Sequence, residues 1–188
     1  MKKIRIGTNV FLPMPVVLVG TEIGGRPNVL TAGWVSRVNA DPPLIAVSIN
    51  QINATPEGIR ENGTFSINLP TAAMMGVADY CGLVSCRYTD KSDLFEFFRG
   101  TLIGAPMIQN CPLTMECRLI DTVELPTHLL FIGEIVGGYA DENILNQKIP
   151  DINAMKPLIL TMPDNAYRTL GEYAGKAWSE GTHLARGT

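Results

Sequence analysis

The amino-acid sequence predicts a mostly β protein, an antiparallel barrel with a few appended helices. Three observations support this fold class. Several short apolar runs alternate with polar residues at a period of two, as in Phe65-Ser66-Ile67-Asn68-Leu69. The connections between these runs are short, and strands and helices do not alternate regularly as they do in parallel βαβ folds. A doubly wound sheet is further disfavoured because no G-x-G-x-x-G follows a strand and no P-loop is present.

The first half of the chain contains four predicted strands and two predicted helices. Residues 16–21 and 28–35 are predicted to form a hairpin around Gly24-Gly25, because glycine supplies the positive φ that tight turns need. Residues 44–49 form a β-branched run typical of a buried strand. A helix is predicted over residues 55–62, ended by Gly63, followed by a strand at 65–69 and a helix at 71–80.

The second half is predicted to be mainly β. A polar loop at residues 81–93 precedes a short apolar segment around Phe95, Phe97 and Phe98. Strands are predicted at 113–120, 128–136 and 157–160, with one helical turn at 141–145. We expect one domain over residues 1–188, with a tail after about residue 171 that docks on a partner or stays loose.

The sequence predicts a cytoplasmic protein whose apolar surface is covered by a partner, and it argues against several classes of ligand. The chain is 46% hydrophobic and 18% charged, which suggests that a second copy covers apolar surface. The net charge of −3 argues against nucleic acid, and no apolar run is long enough to cross a membrane. The four cysteines have C-x4-C and C-x5-C spacings, which match neither a zinc site nor a redox pair. With only two histidines, a histidine-rich metal site is not expected either.

Four small polar residues interrupt the apolar pattern between the third strand and the first helix: Ser48, Asn50, Asn53 and Thr55. Thr55 suits the N-cap of that helix and Pro56 its first position. The free N–H groups and the dipole of a helix N-terminus can hold a phosphate. The alternative is that Thr55 merely caps the helix and the asparagines make turns.

Further candidates lie elsewhere in the chain. Trp34 follows a small-residue turn and could border a flat ligand, or it could be a core residue. Lys91 could reach a phosphate, with Ser85 donating to the same anion, or it could be an ordinary solvated lysine. His128, at the start of a strand, could contact a cofactor or be structural. Because no catalytic triad or nucleophile motif is present, we expect a bound organic cofactor to carry any chemistry.

A series of segments, in order, carries a family resemblance. They read PMPVVLVGT, PNVLTAGW, DPPLIAVSI, TPEGIRENGTFSINLP, CGLVSCRYTDK and HLLFIGEIV. Together they span roughly residues 13–171, and they resemble the flavin reductase-like family of FMN-binding split barrels, in particular its flavoredoxin-like members. One departure is Cys86, where the family more often has glycine after the serine; it would place a thiol near the cofactor.

The resemblance implies an FMN site at the interface of a homodimer. The implied cofactor-binding residues form two groups, one beside the flavin ring and one beside the phosphate and ribityl chain, and Tyr167 is a weaker candidate for contact with the ring. Those for the ring side are Asn28, Thr31, Ala32 and Trp34, with His128 reaching the flavin from its own or the second subunit; those for the phosphate and ribityl side are Ser48, Asn50, Thr55, Ser85 and Lys91.

The function implied is that of an FMN-dependent oxidoreductase. NADH, NADPH or a protein donor would reduce the flavin, which passes the electrons on, and no side chain need act as acid or base. Two alternatives remain at this point: an FMN-holding electron carrier without substrate turnover, and a structural or ligand-sensing dimer with a degenerate pocket.

Overall fold

The computed structural model describes residues 1–184 of the chain, and antiparallel strands dominate this part. The strands are β1 (Met14–Pro15), β2 (Val17–Ile23), β3 (Arg26–Ala32), β4 (Val35–Asn39), β5 (Leu44–Asn50), β6 (Thr64–Leu69), β7 (Phe97–Phe98), β8 (Met107–Ile108), β9 (Leu113–Glu124), β10 (His128–Ala140), β11 (Leu145–Asn146), β12 (Ile149–Pro150), β13 (Ile159–Thr161) and β14 (Ala166–Arg168). The α-helices are α1 (Thr55–Asn62), α2 (Met75–Leu83) and α3 (Ile152–Met155), with 3-10 turns at Ala72–Met74, Ser92–Leu94, Glu142–Ile144 and Thr182–Leu184.

Seven strands form the main sheet in the order β3-β2-β6-β9-β10-β5-β4, and all neighbours are antiparallel. One apolar core contains Leu30 from β3, Phe65 from β6, and Ile49 from β5 near the opposite end of the sheet. Strands so far apart in the pairing order share a core only if the sheet curves around it. The prediction of a mostly β antiparallel barrel with appended helices is therefore confirmed.

The opposite face of β2 and β3 carries a second core, because side chains alternate between the two faces of a strand. Leu18 and Val29 contribute from these strands, and Ala78 and Cys81 contribute from α2. Helix α2 therefore packs outside the barrel, against β3. Near the C-terminal end of α2, a Cβ on Gly82 would lie 3.4 Å from the side chain of Thr31 in β3, and both residues belong to the region where the candidate site is found.

The strand predicted at residues 28–35 is in fact two strands, and this prediction was wrong in one respect. Strand β3 ends at Ala32 and β4 begins at Val35, with Gly33 and Trp34 between them. Strand β4 pairs with β5 rather than with β2. At Gly33, where the chain leaves the hairpin, a Cβ would lie 3.6 Å from the side chain of Met14 and 3.7 Å from that of Leu160, so the backbone passes close to both. This break is what moves Trp34 out of the hairpin.

Helix α1 has the predicted bounds but a different N-cap. Ala54 occupies the N-cap position and Thr55 is the first helical residue, so the prediction that Thr55 caps the helix was wrong. Gly63 ends the helix in the left-handed conformation, with its N–H bonded to the carbonyl of Ile59, as predicted. A Cβ on Gly58 would lie 2.4 Å from the carbonyl oxygen of Glu22, so the helix backbone lies directly on β2.

Buried polar groups lie at two further places in the barrel. The buried carboxylate of Glu116 accepts hydrogen bonds from the amides of Thr101 (3.1 Å) and Leu102 (2.6 Å) and from the Tyr139 hydroxyl (2.9 Å). Burial raises the pKa of Glu116, but these hydrogen bonds outweigh it and hold the pKa below its ordinary value. On β2, a Cβ at Gly20 would lie 2.4 Å from two oxygens, the carbonyl of Pro106 and Oγ of Ser66.

Both ends of the described chain lie away from the two cores. Ile4, Ile6 and Leu12 are exposed near the N-terminus, and Tyr173 and Trp178 are exposed in the tail beyond residue 171. In residues 1–184, no helix has the length and apolar character needed to span a membrane. The same residues contain no cluster of three or more histidine, cysteine or acidic side chains arranged to hold a metal ion.

Candidate functional site

Two adjoining cavities bring most of the predicted site residues together. The first has a volume of about 190 Å³ and the second about 100 Å³, and both are lined by Leu30 and Asn53. The first is lined in addition by Met14, Thr31, Ala32, Gly33, Trp34, Ser48, Ile49, Asn50, His128 and Leu160. The second is lined in addition by Asn28, Ala54, Thr55, Gly82, Leu83, Val84, Ser85, Cys86 and Lys91.

The first cavity is assembled by strand pairing. Strand β5 pairs with β4 on one side and β10 on the other, so that Asn50 lies opposite His128 in the register. The rings of Trp34 and His128 pack against each other, with centroids 4.7 Å apart and planes tilted by 32°. The Nδ1 atom of His128 is 2.8 Å from the hydroxyl of Thr127, which fixes the orientation of the imidazole. This aromatic pair borders the cavity, whose lining also includes the small residues Ala32 and Gly33.

Trp34 is not a core residue. Its side chain is 45% exposed, so the alternative of a buried tryptophan is wrong. Its position follows from the break between β3 and β4, which leaves the indole at the cavity rather than in either apolar core. A half-exposed indole beside a cavity is suited to contacting a planar ligand.

The second cavity lies between the start of α1, strand β3 and the segment after α2. Thr55 and Asn28 are both buried, and the Asn28 Nδ2 group donates a hydrogen bond of 3.0 Å to Thr55 Oγ1. Because Ala54 holds the N-cap position, the Thr55 hydroxyl is directed to Asn28 instead of to its own helix. The other amide atom, Asn28 Oδ1, is buried without a partner in residues 1–184. Such an orphaned buried atom is costly unless a ligand completes it.

Lys91 is buried rather than solvated, so the alternative of an ordinary surface lysine is wrong. Its ammonium donates to the backbone carbonyls of Val29 (2.5 Å), Val84 (3.1 Å) and Cys81 (3.4 Å). Burial lowers the pKa of Lys91. Within residues 1–184, Lys91 makes no ion pair, so its charge is not neutralised by a carboxylate.

The charge lining the two cavities favours an anion. Of the residues described, those that line either cavity include one lysine and no aspartate or glutamate. Glu57, which follows Thr55 and would oppose an anion, instead forms an ion pair with Arg87 and does not line either cavity. The second cavity is therefore the end at which a phosphate is electrostatically favoured.

Cys86, the position at which the sequence departs from the family pattern, lines the second cavity. Burial raises the pKa of its thiol, while the nearby charges of Lys91 and Arg87 oppose the change. The other three cysteines are buried. Cys86 is thus the thiol of the described chain that a ligand in this cavity would face.

One predicted site residue lies elsewhere, and several lining residues were not predicted. Tyr167 packs against the second core and donates a hydrogen bond of 2.8 Å to Asp79 Oδ1, and it lines neither cavity. Burial, followed by this hydrogen bond, raises the pKa of Tyr167 to about 12. Asn53 lines both cavities and belongs to the same polar run as Thr55, a signal that could have included it. Gly33 belongs to the small-residue turn that precedes Trp34, whereas Met14, Leu30 and Leu160 gave no such signal.

Comparison with known proteins identifies the family. A family model described as the flavin reductase like domain matches residues 10–171. The chain belongs to the flavin reductase-like family. The split-barrel fold implied by the sequence resemblance is confirmed with it.

Three relatives of this flavin reductase-like chain span a range of similarity. The crystal structure of flavoredoxin from Methanosarcina acetivorans is 52% identical, with a TM-score of 0.96 over 98% of this chain and 100% of that chain. An uncharacterized protein of Aeropyrum pernix is 32% identical over 133 residues, which is 69% of this chain but 51% of that relative, about half its length. The FMN reductase (NADH) RutF of Ancylobacter novellus is 26% identical over 124 residues, covering 65% of this chain and 66% of that protein.

Proposed function

We propose that this protein is an FMN-binding oxidoreductase that takes electrons from NADH, NADPH or a protein donor and passes them on through the flavin. The observation that carries the proposal is the pair of joined cavities, one bordered by an aromatic pair and small residues, the other cationic and free of acidic residues. Membership of the flavin reductase-like family and similarity to a flavoredoxin and to an FMN reductase (NADH) support it.

The residues of the second cavity fit the phosphate of FMN. Thr55 Oγ1 accepts its hydrogen bond from Asn28 Nδ2, which leaves the hydroxyl proton of Thr55 to donate to an anion. The Ser85 hydroxyl accepts a hydrogen bond from the Arg87 amide (3.3 Å), which leaves its own O–H group to donate.

The residues of the first cavity fit a planar ring system. The small residues Ala32 and Gly33 and the aromatic pair of Trp34 and His128 would hold the ring system. Ser48 and Asn50 would face its polar edge or the ribityl chain. When bound, FMN would supply the hydride and electron chemistry, and the side chains would bind it, orient it and exclude water from one face.

The proposal includes a homodimer with the flavin site at the interface. In support, apolar side chains are exposed at both ends of the described chain, including Ile4, Leu12 and Trp178. Trp34, which lines the first cavity, and Ile52, which precedes the lining residue Asn53, are also exposed, and a second copy would cover them. Analytical ultracentrifugation of the flavin-loaded protein tests this part, and a monomer at micromolar concentration would contradict it.

The visible spectrum of the purified protein tests FMN binding. We expect a yellow protein, or a colourless one that quenches the fluorescence of added FMN on titration. A colourless protein that does not respond to FMN would refute the proposal. Riboflavin serves as the control, because it has the same ring system without the phosphate.

Stopped-flow mixing separates the enzyme from the electron carrier. Rapid bleaching of the FMN-loaded protein by NADH or NADPH supports a reductase, and comparing the two rates gives the preferred donor. Bleaching only by a reduced partner protein would instead support an FMN-holding carrier. A protein that binds no flavin would leave the structural or ligand-sensing dimer.

A further inference from the structure

A third cavity lies away from the candidate flavin site, where β7, β9 and β10 meet. It has a volume of about 300 Å³ and shares no lining residue with the first two cavities. Tyr139 lines it near the end of the 13-residue strand β10, whereas His128 lines the first cavity at the start of the same strand. A ligand in the third cavity would therefore not contact the groups proposed to bind FMN.

Strand pairing and ring packing build one wall of this cavity. Tyr139 lies opposite Thr114 in the register of β10 and β9. The rings of Phe98 and Tyr139 pack edge to face, with centroids 5.5 Å apart and planes at 82°. The Tyr139 hydroxyl donates a hydrogen bond of 2.9 Å to the ionised carboxylate of Glu116, which holds the ring in place and increases its electron density. The face of an electron-rich ring attracts a cation.

The charge lining this cavity is negative and unpaired. Asp141 is partly buried there, makes no ion pair within residues 1–184 and does not cap the 3-10 turn that follows it. Burial, with the charge of Asp141 adding to it, raises the pKa of the Cys111 thiol to about 12, so the neighbouring thiol stays neutral. The described lining residues include no lysine, arginine or histidine. This arrangement favours a positively charged ligand.

Two further side chains supply acceptors for a ligand that carries N–H groups. Thr114 is only 1% exposed, and its hydroxyl donates to the sulfur of Met107 at 3.6 Å, which leaves the oxygen able to accept. Gln109, which is exposed, contributes an amide oxygen. An ammonium has three N–H donors to match such acceptors, whereas Ca²⁺ or Mg²⁺ needs about six oxygen ligands. No group of three or more histidine, cysteine or acidic side chains in residues 1–184 is arranged to hold a metal ion.

We propose that the third cavity binds an alkylammonium group, whose N–H groups donate to Asp141 and Thr114 while its alkyl chain packs against the rings of Phe98 and Tyr139. The group would belong to a small free amine or to a lysine side chain of another protein, since both present the same chemistry. This site goes beyond the proposed flavin function and does not depend on it.

An NMR titration of the ¹⁵N-labelled wild-type protein, in the flavin state in which it is purified, tests the proposal. The probe is n-pentylammonium chloride, with 1-pentanol as its uncharged match and sodium chloride at the same ionic strength as the control for screening. We expect saturable amide shifts at residues 109–114 and 139–141. Pentylammonium should bind about tenfold or more tightly than 1-pentanol, the difference expected for a charge-assisted hydrogen bond.

Lysine with both termini blocked is the second probe, and it distinguishes the two sources of the ammonium. Saturable shifts at the same residues are expected for it as well. Binding tighter than that of pentylammonium would assign the site to the side chain of a partner protein, and weaker binding would assign it to a small amine.

Three variants show whether the cavity itself binds the probe. Asp141→Asn keeps the size of the side chain and should weaken pentylammonium binding by about tenfold or more. Glu142→Gln is the matched control, because Glu142 is exposed, does not line the cavity and is screened by solvent, so affinity should stay within about twofold. Phe98→Leu removes one ring and should weaken binding by about threefold or more. If Phe98→Leu does not fold, the comparison of Asp141→Asn with Glu142→Gln decides alone.

Three results would overturn the proposal. Shifts that do not saturate, or that sodium chloride reproduces, would mean that the cavity has no specific affinity for an ammonium. Shifts confined to residues 28–34 and 48–55 would place the amine at the flavin site instead. Equal losses of affinity from Asp141→Asn and Glu142→Gln would mean that only the overall charge of the protein attracts the probe.

Discussion

Replacing Thr55 with valine removes one hydroxyl from the anion end of the site while keeping the shape of the side chain. Thr55 and Asn28 are both buried and joined by a hydrogen bond of 3.0 Å. Asn28 Oδ1 already lacks a partner, so the variant leaves the whole amide unpartnered. A buried polar group without a partner costs about 1–3 kcal/mol, and we expect the free energy of unfolding to fall by that amount.

The same substitution should weaken FMN binding. A hydrogen bond to a charged group contributes about 1.5–3 kcal/mol, which corresponds to about a ten- to hundredfold loss of FMN affinity. Riboflavin affinity should change much less, because riboflavin has no phosphate. Thr55→Ser keeps the hydroxyl and serves as the matched control, with both affinities close to wild type.

Urea unfolding and fluorescence titration measure the two effects. The stability loss should nearly vanish when Asn28→Leu is combined with Thr55→Val, because replacing both partners leaves no unsatisfied group. If Thr55→Val costs as much in the Asn28→Leu background as in wild type, the hydrogen bond is not the cause. If FMN and riboflavin affinity fall equally, the phosphate does not lie at Thr55.

Three further predictions concern the barrel and the thiols. Gly20→Ala should lower the free energy of unfolding by about 1–3 kcal/mol, because the added Cβ would meet two oxygens at 2.4 Å. Gly76→Ala, whose Cβ would have nothing within 4 Å, should raise the free energy of unfolding by about 0.5–1 kcal/mol, because alanine favours helix α2. Equal effects of the two variants in urea unfolding would contradict this. Glu116→Gln should cost about 1–3 kcal/mol at pH 7. Since the pKa of Glu116 is lowered in the folded state, the stabilisation by its carboxylate is present above the unfolded pKa of about 4.3 and is lost as pH falls through the folded pKa. If the difference in free energy of unfolding between wild type and variant stays constant from about pH 7 to 3, this explanation is wrong. Iodoacetamide should label Cys86 alone in the native protein, because the other three thiols are buried, and more slowly with FMN present; mass spectrometry showing another labelled cysteine, or no protection, would be the contrary result.

The elements that the sequence predicted well are those whose pattern depends on burial alone. Residues 65–69 alternate because one face of β6 packs in the core, and the structure has β6 there. The helix at Thr55–Asn62 was predicted with its bounds because Pro56 and Gly63 mark its ends locally. Its N-cap was predicted wrongly: Ala54 holds that position, and the Thr55 hydroxyl bonds to Asn28, a partner remote in sequence that no local pattern reports.

The environment of individual site residues depended on tertiary contacts that no local pattern reports. Lys91 lies in a polar segment, yet it is buried because carbonyls of β3 and α2 converge on it. Tyr167 was predicted to contact the flavin only because the chain resembles the family, but its hydroxyl donates a hydrogen bond to Asp79 of α2. Trp34 is placed by the break between β3 and β4, which the small residues around Gly33 did not reveal.

Gly58 approaches β2 so closely that only a hydrogen atom fits in place of a side chain. Any side chain at residue 58 would meet the carbonyl oxygen of Glu22 at 2.4 Å and the side chains of Ile23 and Thr21 at 2.8 Å. Helix α1 would then have to lift from the barrel, and Thr55 in its first turn would move with it. A substitution at residue 58, which lines neither cavity, would therefore change the shape of the second cavity from outside it.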